Sequence, residues 1–361
     1  MTGRLQEIFG DDALGRFADT GGGISGLPPQ AYTDARFQDL ESNYLFPKSW
    51  TFVGFAHQLA KAGDVLPVRV GSRPVFLMRN KEGRIKAFHN ACRHRCATLV
   101  EEAGNVGRFL KCPYHAWVYD LDGGLRTAPH FGGPDKPFPE NFNPADHGLR
   151  EVRCHQWLDW IFVNLDGGAE PFEDYAAPLI KRLEGIDLTA MRAIATLDFG
   201  EVRTNWKFLL ENFIEPYHVQ FVHSSTTEQP LLDHYTIVDG RCMGSAVDIS
   251  RSGAQQKQDA LGVSSRFLTL FPNFVLGWYF PDQMGVHLNI PVAPDRTLQR
   301  RVLYHFGAGE LPADEVEALK ELWFKVHKED HEICERLQAG RASPVAETGG
   351  VLSPYWEDSV R

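Results

Sequence analysis

Four residues in the first third of the chain have the types and spacing to hold metal. Cys92-Arg93-His94 is followed, after residues 95–111, by Cys112-Pro113-Tyr114-His115. The pattern is C-x-H…C-x-x-H, two thiolates and two imidazoles offered as matched pairs. This donor set suits a [2Fe–2S] centre in which the thiolates hold one iron and neutral imidazoles the other, at a higher potential than an all-cysteine cluster. A chain with such a centre moves electrons. The competing reading is a structural zinc site, but Cys2His2 zinc sites place two cysteines close together and then two histidines. Here the two types alternate within each pair.

A second group lies further along, in the run Asn205 to His223. Glu215 and His218 are spaced i, i+3 and share a helix face. His218 and His223 are spaced i, i+5, about 140° apart on an ideal helix. A straight helix would not aim both at one metal, so the segment must bend or end here, and Pro216 is the residue to do it. On spacing alone these histidines fit core or surface positions as well as a metal site.

The surrounding sequence suggests the elements that carry these residues. The chain has 361 residues, 43% hydrophobic and 23% charged, enough for two domains with ordinary cores. Residues 1–30, with Gly21-Gly22-Gly23 and Pro28-Pro29, read as an arm with little structure of its own, and Thr33 to Phe46 as a helix ended by Pro47. From Trp50 to about Val163, short β runs (65–70, 75–79, 85–89 and 117–121) alternate with turns such as Lys81-Glu82-Gly83 and Asp122-Gly123-Gly124. Both metal-type loops fall in this small antiparallel β domain, and residues 128–147 read as a surface excursion. Beyond residue 166 the pattern is α+β. It has a bent helical stretch from Trp206 to His223, strand-like runs at 267–271, 274–280, 286–292 and 299–306, and a long helix from Ala313 to Ala339. The expected division is 1–46 (arm and helix, packing with the last domain), 47–165 (the β domain) and 166–361.

Composition narrows the function. Net charge is −10 with a pI of about 5.8, which argues against a nucleic-acid surface. No apolar run is long enough for a membrane span, and the N-terminus lacks the apolar stretch of a secretory signal. The six cysteines do not read as a disulfide framework. Cys154, Cys242 and Cys334 read as small buried hydrophobes, and the expected compartment is the reducing cytoplasm.

Cys92-Arg93-His94-Arg95, then Cys112-Pro113-Tyr114-His115-Ala116-Trp117, then Tyr119-Asp120-Leu121-Asp122-Gly123-Gly124-Leu125 resembles the Rieske domain of the Rieske non-haem iron oxygenases. Cys96 and Ala116 depart from it, standing where glycine is usual, and Cys96 reads as a small side chain filling a gap. The run N-W-K-x-x-x-E-N-x-x-E-x-Y-H-x-x-x-x-H, from Asn205 to His223, resembles the family's mononuclear iron motif. The resemblance implies a third ligand on the long C-terminal helix at Asp330, with Glu329 its nearest competitor. His218, His223 and Asp330 would then be the two-histidine, one-carboxylate triad of non-haem Fe(II) oxygenases. It further implies that Glu215 lies between a cluster histidine and an iron histidine and couples them. Many members have Asp at that position, and Glu resembles the group acting on choline, betaines and carnitine. Tyr217 and Asn212 read as packing or hydrogen-bonding neighbours, and His331 as facing solvent.

The resemblance thus implies a Rieske [2Fe–2S] domain joined to a helix-grip catalytic domain with a mostly antiparallel sheet. Such a terminal oxygenase takes electrons through the cluster to a mononuclear Fe(II) and uses O2 to hydroxylate or demethylate a small substrate, a quaternary ammonium compound or an aromatic one. It further implies a ring of three chains, with one chain's cluster meeting the next chain's iron, and a separate reductase or ferredoxin. The pocket is expected near residues 267–280 and around Phe208 and Phe213. A non-catalytic Rieske electron carrier is the rival function, and it would need only the first site.

Overall fold

The computed structural model describes residues 2–18, 25–226, 229–248, 265–307 and 309–361. The Gly21-Gly22-Gly23 run lies outside them. The chain forms two compact units, Glu41–Phe172 and Met1–Leu40 together with Glu173–Arg361.

The N-terminal segment corrects the expectation of an unstructured arm. It begins with helices α1 (Thr2–Phe9) and α2 (Asp11–Ala18). Ile8 and Ala13 are buried, and Phe9 packs edge-on against Phe37 with ring centroids 5.0 Å apart. Gly10, at a φ of +74°, separates the two helices, and Asp11 and Asp12 favour the start of the second. The helix expected from Thr33 to Phe46 is also broken. α3 (Gln30–Thr33) ends at Asp34, whose carboxylate accepts the Arg36 N–H at 2.8 Å and starts α4 (Ala35–Leu40). A π-helical turn, Glu41–Leu45, and a 3-10 turn, Phe46–Lys48, follow.

The Glu41–Phe172 unit is all-antiparallel β. Its strands are β1 (Thr51–Phe55), β2 (Asp64–Val70), β3 (Arg73–Arg79), β4 (Ile85–His89), β5 (Gly104–Asn105), β6 (Phe109–Lys111), β7 (Val118–Asp120), β8 (Leu125–Thr127), β9 (Glu151–Trp157) and β10 (Trp160–Asn164). One sheet runs β1-β10-β9-β4-β3-β2-β5, and a small one runs β6-β7-β8. Phe76, Phe88, Trp117, Tyr119 and Leu121 form a core that also encloses Cys92 and Cys112. The segment 128–147 is less of an excursion than its Pro- and Asp-rich sequence suggests. Phe138 and Phe142 stack on each other at 5.2 Å and turn back onto that core.

The other unit holds α5 (Phe172–Arg182) and a seven-stranded antiparallel sheet. The strands are β11 (Arg192–Val202), β12 (His234–Asp239), β13 (Cys242–Val247), β14 (Ser265–Leu270), β15 (Phe274–Tyr279), β16 (Gln283–Ala293) and β17 (Arg296–His305), in the order β11-β17-β16-β15-β14-β13-β12. The expected helix from Trp206 to His223 is two pieces, α6 (Trp206–Ile214) and α7 (Val219–Val222). Asn205 caps α6 by accepting the Lys207 N–H at 3.0 Å. Glu215 is extended, at φ −98° and ψ 138°, because the residue before a proline is pushed out of the helical region. α8 (Ala313–Gly340) packs against α6 and β11, and α6 also packs on β13, β14 and β16. Among the described residues no helix is long and apolar enough to cross a membrane.

Candidate metal centres and pocket

The two loops of the first motif share one local design. The Cys92 N–H donates to the Ala97 carbonyl (2.8 Å) and the Cys96 N–H to the Cys92 carbonyl (2.9 Å). In the second loop the Cys112 N–H donates to Trp117 (2.8 Å) and the Ala116 N–H to Cys112 (3.1 Å). Each turn therefore closes on its own cysteine. Each needs a left-handed residue four positions after it, and these are Cys96 at φ +58° and Ala116 at φ +55°. Cys96 is exposed, so it fills no gap, contrary to expectation. These are the two positions where the resemblance led glycine to be expected, and the backbone gives the reason. A non-glycine residue in this conformation costs roughly 1–2 kcal/mol, more than the ~0.5–1 kcal/mol of chain freedom a glycine adds. Cys96→Gly and Ala116→Gly should each raise stability by about 0.5–1 kcal/mol. Thermal midpoints of the cluster-loaded protein check this, and lower midpoints in both variants would refute the strain.

The motif's side chains converge from the two turns. Cys92 and Cys112 are buried at 2% exposure each, and the Cys92 sulfur lies 3.3 Å from the Tyr119 hydroxyl. His94 and His115 lie toward the surface with their Nδ1 atoms 3.1 Å apart. Trp117 stacks flat on His94 at 5.1 Å. Two inner sulfurs and two outer nitrogens are the donor set of a [2Fe–2S] cluster with one cysteine-held and one histidine-held iron.

The second motif also converges. Donor atoms of His218, His223 and Asp330 all lie within 4.8 Å of one another. Asp330 Oδ1 is 3.0 Å from His223 Nε2 and 3.7 Å from His218 Nε2. Each ring is gripped from behind by a carboxylate, His218 Nδ1 by Glu215 at 2.6 Å and His223 Nδ1 by Glu329 at 2.8 Å. Glu329, the expected competitor for the ligand role, thus faces the other nitrogen of His223. Ser225 (3.0 Å) and Thr226 (2.9 Å) donate to it and fix it there. The main-chain N–H groups of Tyr217 and His218 donate to Glu215. Asn212 donates to Asp330 at 2.8 Å. Carboxylates at both Nδ1 atoms hold the protons there and turn both Nε2 lone pairs toward Asp330, the arrangement a metal-binding histidine needs. Burial opposes charge on His223, but the hydrogen bonds and charges of Asp330 and Glu329 outweigh it and push the imidazole up to about 9. Without a cation at this point, a proton on His223 helps to balance the acids.

Above the three donors lies a cavity of about 270 Å3, the size for a small organic molecule. Phe213 and Phe267 line it as expected, whereas Phe208 does not and stacks on Tyr32 at 4.1 Å instead. Tyr279, within the expected 267–280 stretch, lines it too; sequence reading missed Arg301, Trp323, His234, His287 and His327, which also line it. Their one available signal is the inward row of β17, where Thr297, Gln299 and Arg301 alternate as buried polar residues. His331, expected in solvent, is partly buried and meets the Gln299 side chain at 2.6 Å. Cys242 and Cys334 are buried as expected, while Cys154 is only partly so.

Burial holds the His234 imidazole down to about 4 and those of His287 and His327 well below the ordinary range, the latter two helped by the charge of Arg301. The unfolded chain takes up these protons near pH 6.5, and folded His234 only near pH 4. Stability from His234 is therefore complete above 6.5 and falls away toward 4, by up to about 3 kcal/mol. His234→Gln should flatten that slope. Urea midpoints at about pH 7.5 and about pH 5 would reveal it, and an unchanged difference between them would reject the assignment.

Residues 49–139 match the family described as Rieske [2Fe-2S] domain, and residues 182–361 match Ring hydroxylating alpha subunit (catalytic domain). The chain belongs to the Rieske non-haem iron oxygenases. It is 27% identical to the glycine betaine monooxygenase oxygenase subunit of Chromohalobacter salexigens, over 92% of this chain and 83% of that one. It is 28% identical to the chloroplastic choline monooxygenase of Spinacia oleracea, over 91% and 74%. In fold it is similar to the quaternary ammonium Rieske monooxygenase CntA in complex with gamma-butyrobetaine (TM-score 0.77, 22% identity, 93% and 92% covered). It is equally similar to naphthalene 1,2-dioxygenase from Rhodococcus sp. bound to indole (TM-score 0.78, 19% identity, 96% and 88% covered). This Rieske oxygenase is an O2-dependent oxidoreductase with two cofactors, a Rieske cluster and a mononuclear iron, and a separate protein supplies its electrons.

Proposed function

We propose that Cys92, His94, Cys112 and His115 hold the cluster, that His218, His223 and Asp330 hold the mononuclear iron, and that Glu215 links the two centres. The observation that carries this reading is the double grip on the histidines. Glu215 and Glu329 occupy both Nδ1 atoms, so both Nε2 atoms face Asp330. An iron held by His218, His223 and Asp330 would supply the open positions for dioxygen chemistry at a substrate C–H bond. The chain's own residues supply the setting. Asn212 steadies the Asp330 carboxylate, Glu329 keeps the His223 proton on Nδ1, and Phe213, Phe267 and Val326 make the apolar walls that exclude water.

The substrate in this reading is a small organic molecule, a quaternary ammonium or betaine compound or an aromatic one, and the names of the relatives favour the first. The assembly is a homotrimeric ring in which Glu215 of one chain meets a cluster histidine of the next. Inter-subunit electron transfer is reported for CntA and supports that geometry. All six cysteines are free, which suits a cytoplasmic protein. The test is turnover with a ferredoxin-reductase donor under isotopically labelled dioxygen, across betaines and aromatic acids. Label in the product supports the reading. A protein that passes electrons onward and never incorporates label is the non-catalytic carrier instead.

A further inference from the structure

Arg301 is 1% exposed and lines the cavity, yet its Nε and Nη2 atoms have no hydrogen-bond partner. Among the described residues no carboxylate pairs with it. The two acids that share its cavity are engaged elsewhere: Asp330 is bonded to His223 and Asn212 at the proposed metal position, and Glu215 to the His218 ring. A buried cation without a counter-charge is costly, and water can satisfy its donors but not its charge.

The fold goes out of its way to keep the guanidinium there. Arg301 on β17 is the cross-strand partner of His287 on β16, so both face the cavity side of the sheet. Two residues before His287 stands Gly285. A Cβ at that position would come within 2.3 Å of both Nε and Nη2, so the bare strand makes the room in which the guanidinium lies. From α8, Trp323 presents its ring face at 3.7 Å from the guanidinium carbon, and the Tyr279 ring lies at 5.2 Å. His287 and His327 each turn an unpartnered Nε2 into the same buried zone, both without charge at neutral pH. The electron-rich faces that would receive a quaternary ammonium are already occupied by the protein's own cation. A second cation at that place is repelled, and an anion is drawn in.

We propose that Arg301 is a specificity residue that receives a carboxylate of the substrate. The substrate is then a small carboxylate, and the carbon to be oxidised lies at its other end, toward His218, His223 and Asp330. This rests on the metal-site reading above. It keeps betaines, which carry a carboxylate, and excludes simple amino alcohols such as choline, which do not.

The test is calorimetric binding and thermal shift on the cluster-loaded protein. The probes are acetate, benzoate and glycine betaine, set against acetamide, benzamide and choline. Each carboxylate should bind at least about tenfold more tightly than its uncharged or cationic counterpart. Arg301→Gln should erase that preference. Gly285→Ala should weaken it by displacing the guanidinium without touching its charge. Iron content and cluster absorbance of both variants should match the parent. Three results would overturn the proposal: choline or benzamide binding as tightly as its counterpart, Arg301→Gln retaining the preference, or no carboxylate binding to the parent protein. Missing iron in the parent would instead overturn the metal-site reading, and it is measured separately on the same sample.

Discussion

His218→Ala should leave the protein coloured and inactive. The [2Fe–2S] absorption, carried by residues 92–115, should survive, while iron content falls from about three to about two per chain and substrate oxygenation falls below detection. The reasoning is geometric. Among the described residues His218 is one of three convergent donors, and its loss leaves His223 and Asp330, too few to fix an iron with defined open positions. Glu329→Gln gives a graded version of the same experiment. It keeps the bulk near His223 Nδ1 but removes the charge that fixes the ring's tautomer, and iron affinity should fall roughly 10- to 100-fold. If His218→Ala still turned over, the triad would be wrongly assigned. If Glu329→Gln bound iron like the parent, the grip from behind would be irrelevant to the site.

Two inactive variants should restore activity when they assemble together. A Cys92→Ser chain has no intact cluster, and a His218→Ala chain has no catalytic iron. In a ring where each cluster serves the neighbouring chain's iron, a mixed trimer contains interfaces with one working half from each parent. Every mixed trimer contains one productive interface out of three, so about a third of normal activity should return in it. Each variant alone should stay inactive. Co-expression with two affinity tags, followed by product assay of the doubly tagged fraction, measures this. An inactive mixed trimer would mean that electrons stay within one chain, and Glu215 would lose its proposed linking role.

The residues proposed to hold metal were legible because their spacing is short and their types are few. C-x-H and C-x-x-H are loops, and His-x4-His next to a proline already implied a break, which Glu215 provides. What was not legible depends on long-range contacts. Glu329 could be paired with His223 only once α8 was set against α7. Arg301 lies among strand residues, where a buried arginine has no local signature, and only the sheet register brings it beside His287 and Gly285. The N-terminal helices were hidden by the glycine- and proline-rich stretch that follows them, although Ile8, Phe9 and Ala13 already supplied an apolar side. The left-handed turns at Cys96 and Ala116 were visible only as departures from the family pattern, and the backbone gives their meaning.

α8 carries Trp323, His327, Glu329 and Asp330 within a little over two turns. The wall of the cavity and the proposed anchor of the metal are thus engraved on one rigid bar. Sliding or tilting that bar to admit a new substrate would carry the iron out of register with His218 and His223. The sheet is under no such constraint, since β14 to β17 contribute wall residues but no metal ligand. The enzyme therefore works as a vice with one fixed jaw. Changes in substrate range, by evolution or by design, should accumulate on the strands, and substitutions along the helix should be felt first as lost chemistry.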